Sequence, residues 1–358
     1  MRLYRRWVLA SIIVIYLIIL AGAVVRMTGS GMGCPDWPKC FGYLIPPTQR
    51  AELDFQPNRE YNAGQVIIVD ESLRVASKRF TSGAAYDATN WEAYDKHDYN
   101  VFNVYHTWTE YINRLIGALG GLVVLIMAVI SFRYWRTDRR IVWLSWLAVF
   151  SMGVQAVIGK IVVDTLLSPV LITIHMVVAL LIVGLLLYLY HRALPVAARW
   201  TPDAKLYRWT AIIIGATLVQ VILGTQVRQH VDEIVDAVGY DRISESINEQ
   251  ANWVFYVHRS FSTLLLAATL YLFTLSRKRA NKSPTSSLGL KDSADKTFHY
   301  GVLACIAGSI ISGVLMNYVA FPFGSQAVHL VVASVLLGLL FYLLMQYRGS
   351  HVNHGNDS

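Results

Sequence analysis

The chain has 358 residues, of which 55% are hydrophobic and 15% charged, with a mean hydropathy of +0.43 and a formal net charge of +8. Soluble domains carry about 25% charged residues, so the composition excludes a disordered chain and argues against an ordinary soluble enzyme. It places the chain among membrane proteins.

Crossing a hydrocarbon core takes roughly 20 apolar residues in a helix, and eight such runs follow one another along the sequence. The first, 7–25, follows Arg2, Arg5 and Arg6 and reads as a span without a signal-cleavage site or a Ser-rich transit segment. A long loop, 27–109, comes next. It opens on Gly33-Cys34-Pro35-Asp36-Trp37-Pro38-Lys39-Cys40-Phe41-Gly42, holds Pro46-Pro47 and the aromatics Tyr86, Trp91 and Tyr94, and offers one short β element at Gln65–Asp70. The second span, 110–132, starts at Glu110 and carries Asn113-Arg114; the third and fourth are 141–163 and 168–190, the fourth holding His175. After a linker, 193–206, come spans at 207–228, at 252–275 with His258-Arg259, at 299–320 with Cys305 as a core residue, and at 325–347 with His329. Residues 348–358 form a tail.

Lys and Arg collect on the cytoplasmic side of a membrane. With the N-terminus inside, the inner segments hold 18 basic and 5 acidic residues and the outer ones 10 basic and 17 acidic, which predicts that both termini are cytoplasmic. The pI near 9.3 then reflects orientation in a lipid bilayer and gives no reason to expect a nucleic-acid partner. A bacterial cytoplasmic membrane fits best.

The chain also repeats itself. Residues 174–188 and 328–342 share eight of 15 positions, with His175 over His329, Gly184 over Gly338 and Tyr188 over Tyr342. Gly22-Ala-Val-Val-Arg26 registers with Gly224-Thr-Gln-Val-Arg228, and Asn113-Arg114 with His258-Arg259. Four spans per copy make this a parallel repeat about an axis along the membrane normal. The expected fold is all-α, two four-helix bundles: 1–192 and 207–347. The first copy's outer loop is longer by about 57 residues.

Ionisable side chains inside a span are costly and mark function by default. His258 and His329 sit at matching depth on alternate helices, where two imidazoles can hold a haem iron from both sides, with Ser260, Ser262, Ala333 and Ser334 leaving room for the ring. The other reading is that each histidine hydrogen-bonds across a helix interface; the pairing and its partial repetition favour ligation. Arg259 and Arg114 either pair with haem propionates or snorkel to the interface. The first copy offers His175 opposite Asn113, so its iron would keep an open position. Glu110, one turn before Asn113 on the same face, could move protons there or simply favour the helix N-terminus. Cys34 and Cys40, in a Pro-rich turn, suit a disulfide on the oxidising side of the membrane. A redox-active thiol pair is the sharper alternative, and a zinc site would need further ligands.

These residues resemble the haem A synthases across all eight spans. The most specific likeness is Gly22-Ala-Val-Val-Arg26-Met-Thr-Gly-Ser-Gly-Met-Gly-Cys-Pro-Asp-Trp-Pro-Lys-Cys40, similar to that family's first outer-loop signature. Glu110-Tyr-Ile-Asn113-Arg114 looks like its Glu-x-x-His-Arg motif, and His175, His258 with Arg259, and His329 fall on its remaining haem histidines. The resemblance implies oxidation of the C8 methyl of haem O to a formyl group through successive hydroxylations and loss of water from a gem-diol. It implies a haem b cofactor between His258 and His329, haem O as substrate in the N-terminal bundle, Glu110 as catalytic candidate and a functional Cys34–Cys40 pair. It further implies a haem O synthase and terminal-oxidase assembly factors as partners, and a homo-oligomer is compatible with it.

Three departures stand out: Asn113 in place of His, the longer first outer loop, and a loop Phe321-Pro-Phe-Gly-Ser325 without a second Cys pair. Either His175 alone holds the substrate haem while Asn113 orients water or oxygen, or His106 folds in as the second ligand. A rival function is a non-enzymatic di-haem electron carrier, disfavoured by Asn113; a transporter is weaker still, since no span is broken at its midplane by Pro.

Overall fold

The computed structural model describes residues 1–97, 101–195, 200–239, 242–282, 289–319 and 321–348. Residues 196–199 of the expected linker and nearly all of the expected tail lie outside the described residues. In chain order the helices are α1 (Arg2–Met27), α2 (Val104–Ser131), α3 (Arg139–Asp164), α4 (Pro169–Arg192), α5 (Ala204–Val238), α6 (Ile243–Glu249), α7 (Trp253–Lys282), α8 (Gly289–Tyr318) and α9 (Ser325–Tyr347). All but α6 are long and apolar enough to cross a membrane, eight in number among the described residues. The chain is a helical, eight-span membrane protein.

Several helices outrun their expected bounds, α8 by ten residues at its start and α7 by seven at its end; for α2 and α5 the local reason is visible. Asn103 Oδ1 accepts from the backbone N–H of Tyr105 at 2.9 Å and of His106 at 3.3 Å, an N-cap that starts α2 at Val104 instead of 110. Helix α5 continues past 228 although Asp232 and Glu233 end its apolar run, because one face stays buried: Val231 and Ile234 pack with Ile243 and Ile247 of α6. It stops at Gly239, at φ 80°, whose N–H reaches the carbonyl of Val235.

The chain divides into two compact units. One comprises residues 1–15, 123–149 and 177–358; the other comprises 16–122 and 150–176. In the first, α5 and α8 each pack against both α7 and α9, closing a ring of four helices in which α7 and α9 lie across from one another. Its core includes Leu206, Ile213, Leu265, Leu272, Val302 and Leu340. The Arg192 guanidinium grips Asp138 with two bonds, of 2.7 and 2.9 Å.

The second unit contains the long loop, which folds as β structure well beyond the one expected element. Its strands are β1 (Glu60–Tyr61), β2 (Val66–Val69), β3 (Ser72–Ala76), β4 (Phe80–Thr81) and β5 (Trp91–Ala93). β1 pairs with β4, and β2-β3-β5 form an antiparallel sheet in which Val66 faces Val75 and Arg74 faces Ala93. The β2–β3 turn is Asp70-Glu71, with φ 49° and 54°, the left-handed pair of a two-residue hairpin. Alternation along β2 sends Val66 and Ile68 into a cluster with Cys34, Cys40, Phe41 and Leu53, and Ile67 into another with Tyr61, Ala76 and Trp91. Both faces of this strand are therefore covered.

Candidate functional site

His258 and His329 lie in the second turns of α7 and α9 and face each other across the four-helix ring, their ring centroids 6.3 Å apart and their planes tilted by 57°. Two imidazoles bonded to one metal at about 2 Å each hold their centroids roughly 6 Å apart. The pair is spaced for a shared ion. Ser312 Oγ is 2.9 Å from His329 Nδ1; with Nδ1 donating, Nε2 would carry the free lone pair that ligation needs. The Nδ1 atoms of His175 and His258 are buried with no hydrogen bond among the described residues.

Each of the three histidines lies against a glycine on another helix. A Cβ built on Gly224 would stand 3.0 Å from His258 Cε1, one on Gly159 would stand 3.5 Å from His175 Cε1, and one on Gly313 would stand 3.7 Å from His329 Cε1. The Gly159–His175 and Gly313–His329 pairs occupy equal positions in the repeat. The repeat mate of Gly224 is Gly22, and a Cβ there would meet nothing within 4 Å. That is the outcome expected where Asn113 replaces the imidazole.

Glu110 and Arg114 form a clamp on the cysteine loop. Glu110, 4% exposed, accepts from the Cys34 N–H at 2.8 Å through Oε2 and from Arg114 through Oε1. Arg114 also donates to the carbonyls of Asp36 at 2.6 Å, Lys39 at 2.9 Å and Cys34 at 3.3 Å. Cys34 and Cys40 are joined in a disulfide. Thr107 Oγ1 donates to the Gly33 carbonyl at 2.7 Å, and a Cβ on Gly33 would come within 2.4 Å of the His106 carbonyl oxygen, so only glycine allows this approach. Burial pushes the Asp36 carboxyl above its ordinary range.

The sequence matches the cytochrome oxidase assembly protein (COX15-CtaA) family over residues 5–82 and 82–341. The chain belongs to that family. It is also 46% identical over 48 residues to a heme A synthase of Shewanella oneidensis; that stretch is 13% of this chain, and the chain spans only 14% of that relative's length.

Within this assembly-protein fold, the expected site residues other than Arg259 separate into three groups. His258 and His329 come together. Asn113 lies on α2 and His175 on α4, within one compact unit. Glu110 and Arg114 have as their partners each other and the disulfide loop. Arg259 stacks over Phe255 at 5.9 Å and Tyr256 at 5.4 Å. Participants not read from the sequence include the ring-facing Gly159, Gly224 and Gly313, Ser312 beside His329, and Gln155 and Gln220, whose amides donate to the backbone carbonyls of His175 and His258, each at 2.9 Å. For the glutamines the signal was a polar side chain in an apolar span, with glycine four residues later.

Proposed function

We propose that this family member is a haem A synthase, a membrane oxidoreductase that converts the C8 methyl of haem O to a formyl group, and that it works with the haem O synthase and the oxidase assembly machinery of a bacterial cytoplasmic membrane. The observation that carries the proposal is the 6.3 Å separation of the His258 and His329 rings. The chemistry of the donor set, two neutral imidazoles across a four-helix ring, fits a bis-His haem b, which would supply a path for single electrons.

The chain's own residues divide the work. His258 and His329 hold the cofactor from both sides, with Ser312 fixing the His329 ring. Arg259, carried at the start of α7 over two aromatic rings, offers its charge to a propionate. In the other unit His175 binds the substrate haem from one side. His106 stands seven residues before Asn113 on an unbroken helix, about 10 Å along the axis at 1.5 Å per residue, so the opposite face belongs to Asn113. Its amide can orient a small oxygen species there. Glu110 keeps the clamp closed and places a carboxylate one turn from Asn113, where it can take up or release a proton.

Converting a methyl to an aldehyde removes four electrons and adds one oxygen, so the product is distinguishable by mass. Co-expression with a haem O synthase, followed by extraction and mass analysis of the haems, should yield haem A. Recovery of haem O and haem b alone would favour the electron-carrier reading instead.

A further inference from the structure

Two half-buried glutamines sit beside the ligand histidines without being ligands themselves. Gln155 on α3 donates Nε2 to the backbone carbonyl of His175 on α4, and Gln220 on α5 donates Nε2 to the backbone carbonyl of His258 on α7, both at 2.9 Å. In each amide Oε1 is buried with no hydrogen bond among the described residues, so this bond is what orients the side chain. Four residues later, on the same helix face, come Gly159 and Gly224, the glycines against which the same two imidazoles lie. Gln-x-x-x-Gly thus touches one histidine at two points, its backbone and its ring.

The two occurrences are not repeat mates. In the repeat register, Gln155 and Gly159 correspond to Ser309 and Gly313, while Gln220 and Gly224 correspond to Ile18 and Gly22. Duplication of one ancestral unit does not by itself place a glutamine at both; a shared demand of the histidines does. That demand is geometric. A carbonyl inside a helix already accepts from the N–H four residues on, and a second donor from a neighbouring helix pins that turn in height and rotation. The glycine lets the ring come close to the neighbouring backbone. Ligation tolerates displacements of only about 0.5 Å.

We infer that Gln155 and Gln220 are positioning residues, each setting the height and rotation of one imidazole, His175 and His258 respectively, for iron ligation. The inference rests on the haem reading proposed above, and the test separates the two. It uses full-length protein purified with its haem, in a His175→Ala background so that the His258–His329 site alone is observed. The probe is carbon monoxide. With both imidazoles on the iron, the parent protein is low-spin and binds essentially none. Gln220→Met keeps the side-chain length and removes the amide, and should raise the carbon monoxide-reactive, high-spin fraction at least tenfold. Gln346→Met is the control: its amide donates to Tyr342 Oη at 2.7 Å and its Oε1 accepts from the Trp200 N–H at 3.2 Å, so it costs stability without moving the spin state.

A parent-like spectrum in Gln220→Met overturns the inference and leaves the functional reading standing. Absence of haem from the parent protein overturns the functional reading itself. Should Gln220→Met fail to fold, Gln220→Leu carries the same test, since it keeps an apolar side chain of similar bulk and has no donor. Carbon monoxide binding by that variant supports positioning, and an unchanged spectrum overturns it.

Discussion

Asn113 and Gly22 make the first copy's site differ from the second by one missing imidazole. Because a methyl on Gly22 would meet nothing within 4 Å while one on Gly224 meets the His258 ring at 3.0 Å, the first copy has room for the ring it lacks. Asn113→His should therefore give a second low-spin, bis-His haem. Carbon monoxide binding at that haem should disappear in difference spectra. A variant that still binds carbon monoxide there would show that the new imidazole does not reach the iron. The clamp gives a second prediction at this scale. Arg114→Ala strips a 4%-exposed Glu110 of its ion pair, a loss of about 3–5 kcal/mol for a buried pair broken on one side. It should lower the midpoint of thermal unfolding and speed reduction of the Cys34–Cys40 disulfide by dithiothreitol. The histidines were legible in the sequence because an imidazole in an apolar run stands out. The clamp was not: Glu110 and Arg114 could be read as facing haem, and only the fold shows a loop's carbonyls and N–H groups meeting them.

At the scale of elements, legibility follows the range of the forces involved. Each membrane span is set by about 20 residues of its own composition, so all eight could be read in order. Their ends were less legible, since α2 begins at a side-chain cap from Asn103 and α5 persists on one buried face. The loop sheets depend on partners distant in sequence, such as Tyr61 against Phe80, and on a turn of Asp70-Glu71 in place of the Asn-Gly that signals a hairpin. Only β2 could be anticipated. Trp91 is the centre of the aromatic face, with ring centroids 4.9 Å from Tyr61 and 5.4 Å from Phe80. Removing it should cost the sheet about 3–5 kcal/mol, the usual range for a large aromatic deleted from a core. Trp91→Ala should therefore expose the 60–93 segment to limited proteolysis while the haem spectrum of the His258–His329 site stays as in the parent. A spectrum that moves with the loop would mean that the sheet supports the helices and not merely the cysteine turn.

For the whole molecule, the proposed reading has duplication supply two stations from one plan, with the replacement of one imidazole by Asn113 making them chemically unlike. A bis-His iron is saturated and suited to passing electrons, while an iron held on one side can meet a small reactant. The Lys and Arg distribution predicts both ends of the chain in the cytoplasm, so a fluorescent reporter fused at either terminus should mature inside the cell. The division of labour has a sharper consequence. If the stations are loaded independently, the effects of removing their ligands should not spread. His329→Ala should lose the low-spin haem b signature and still retain haem O in the other site, with haem A formation abolished for want of electron transfer. His175→Ala should keep haem b and lose retained haem O, abolishing haem A formation for want of bound substrate. Haem extraction and optical spectra of the two purified variants read both outcomes at once. Loss of both haems from either variant would show that the sites fold or load as one unit, and the assignment of separate roles to the two copies would then fail.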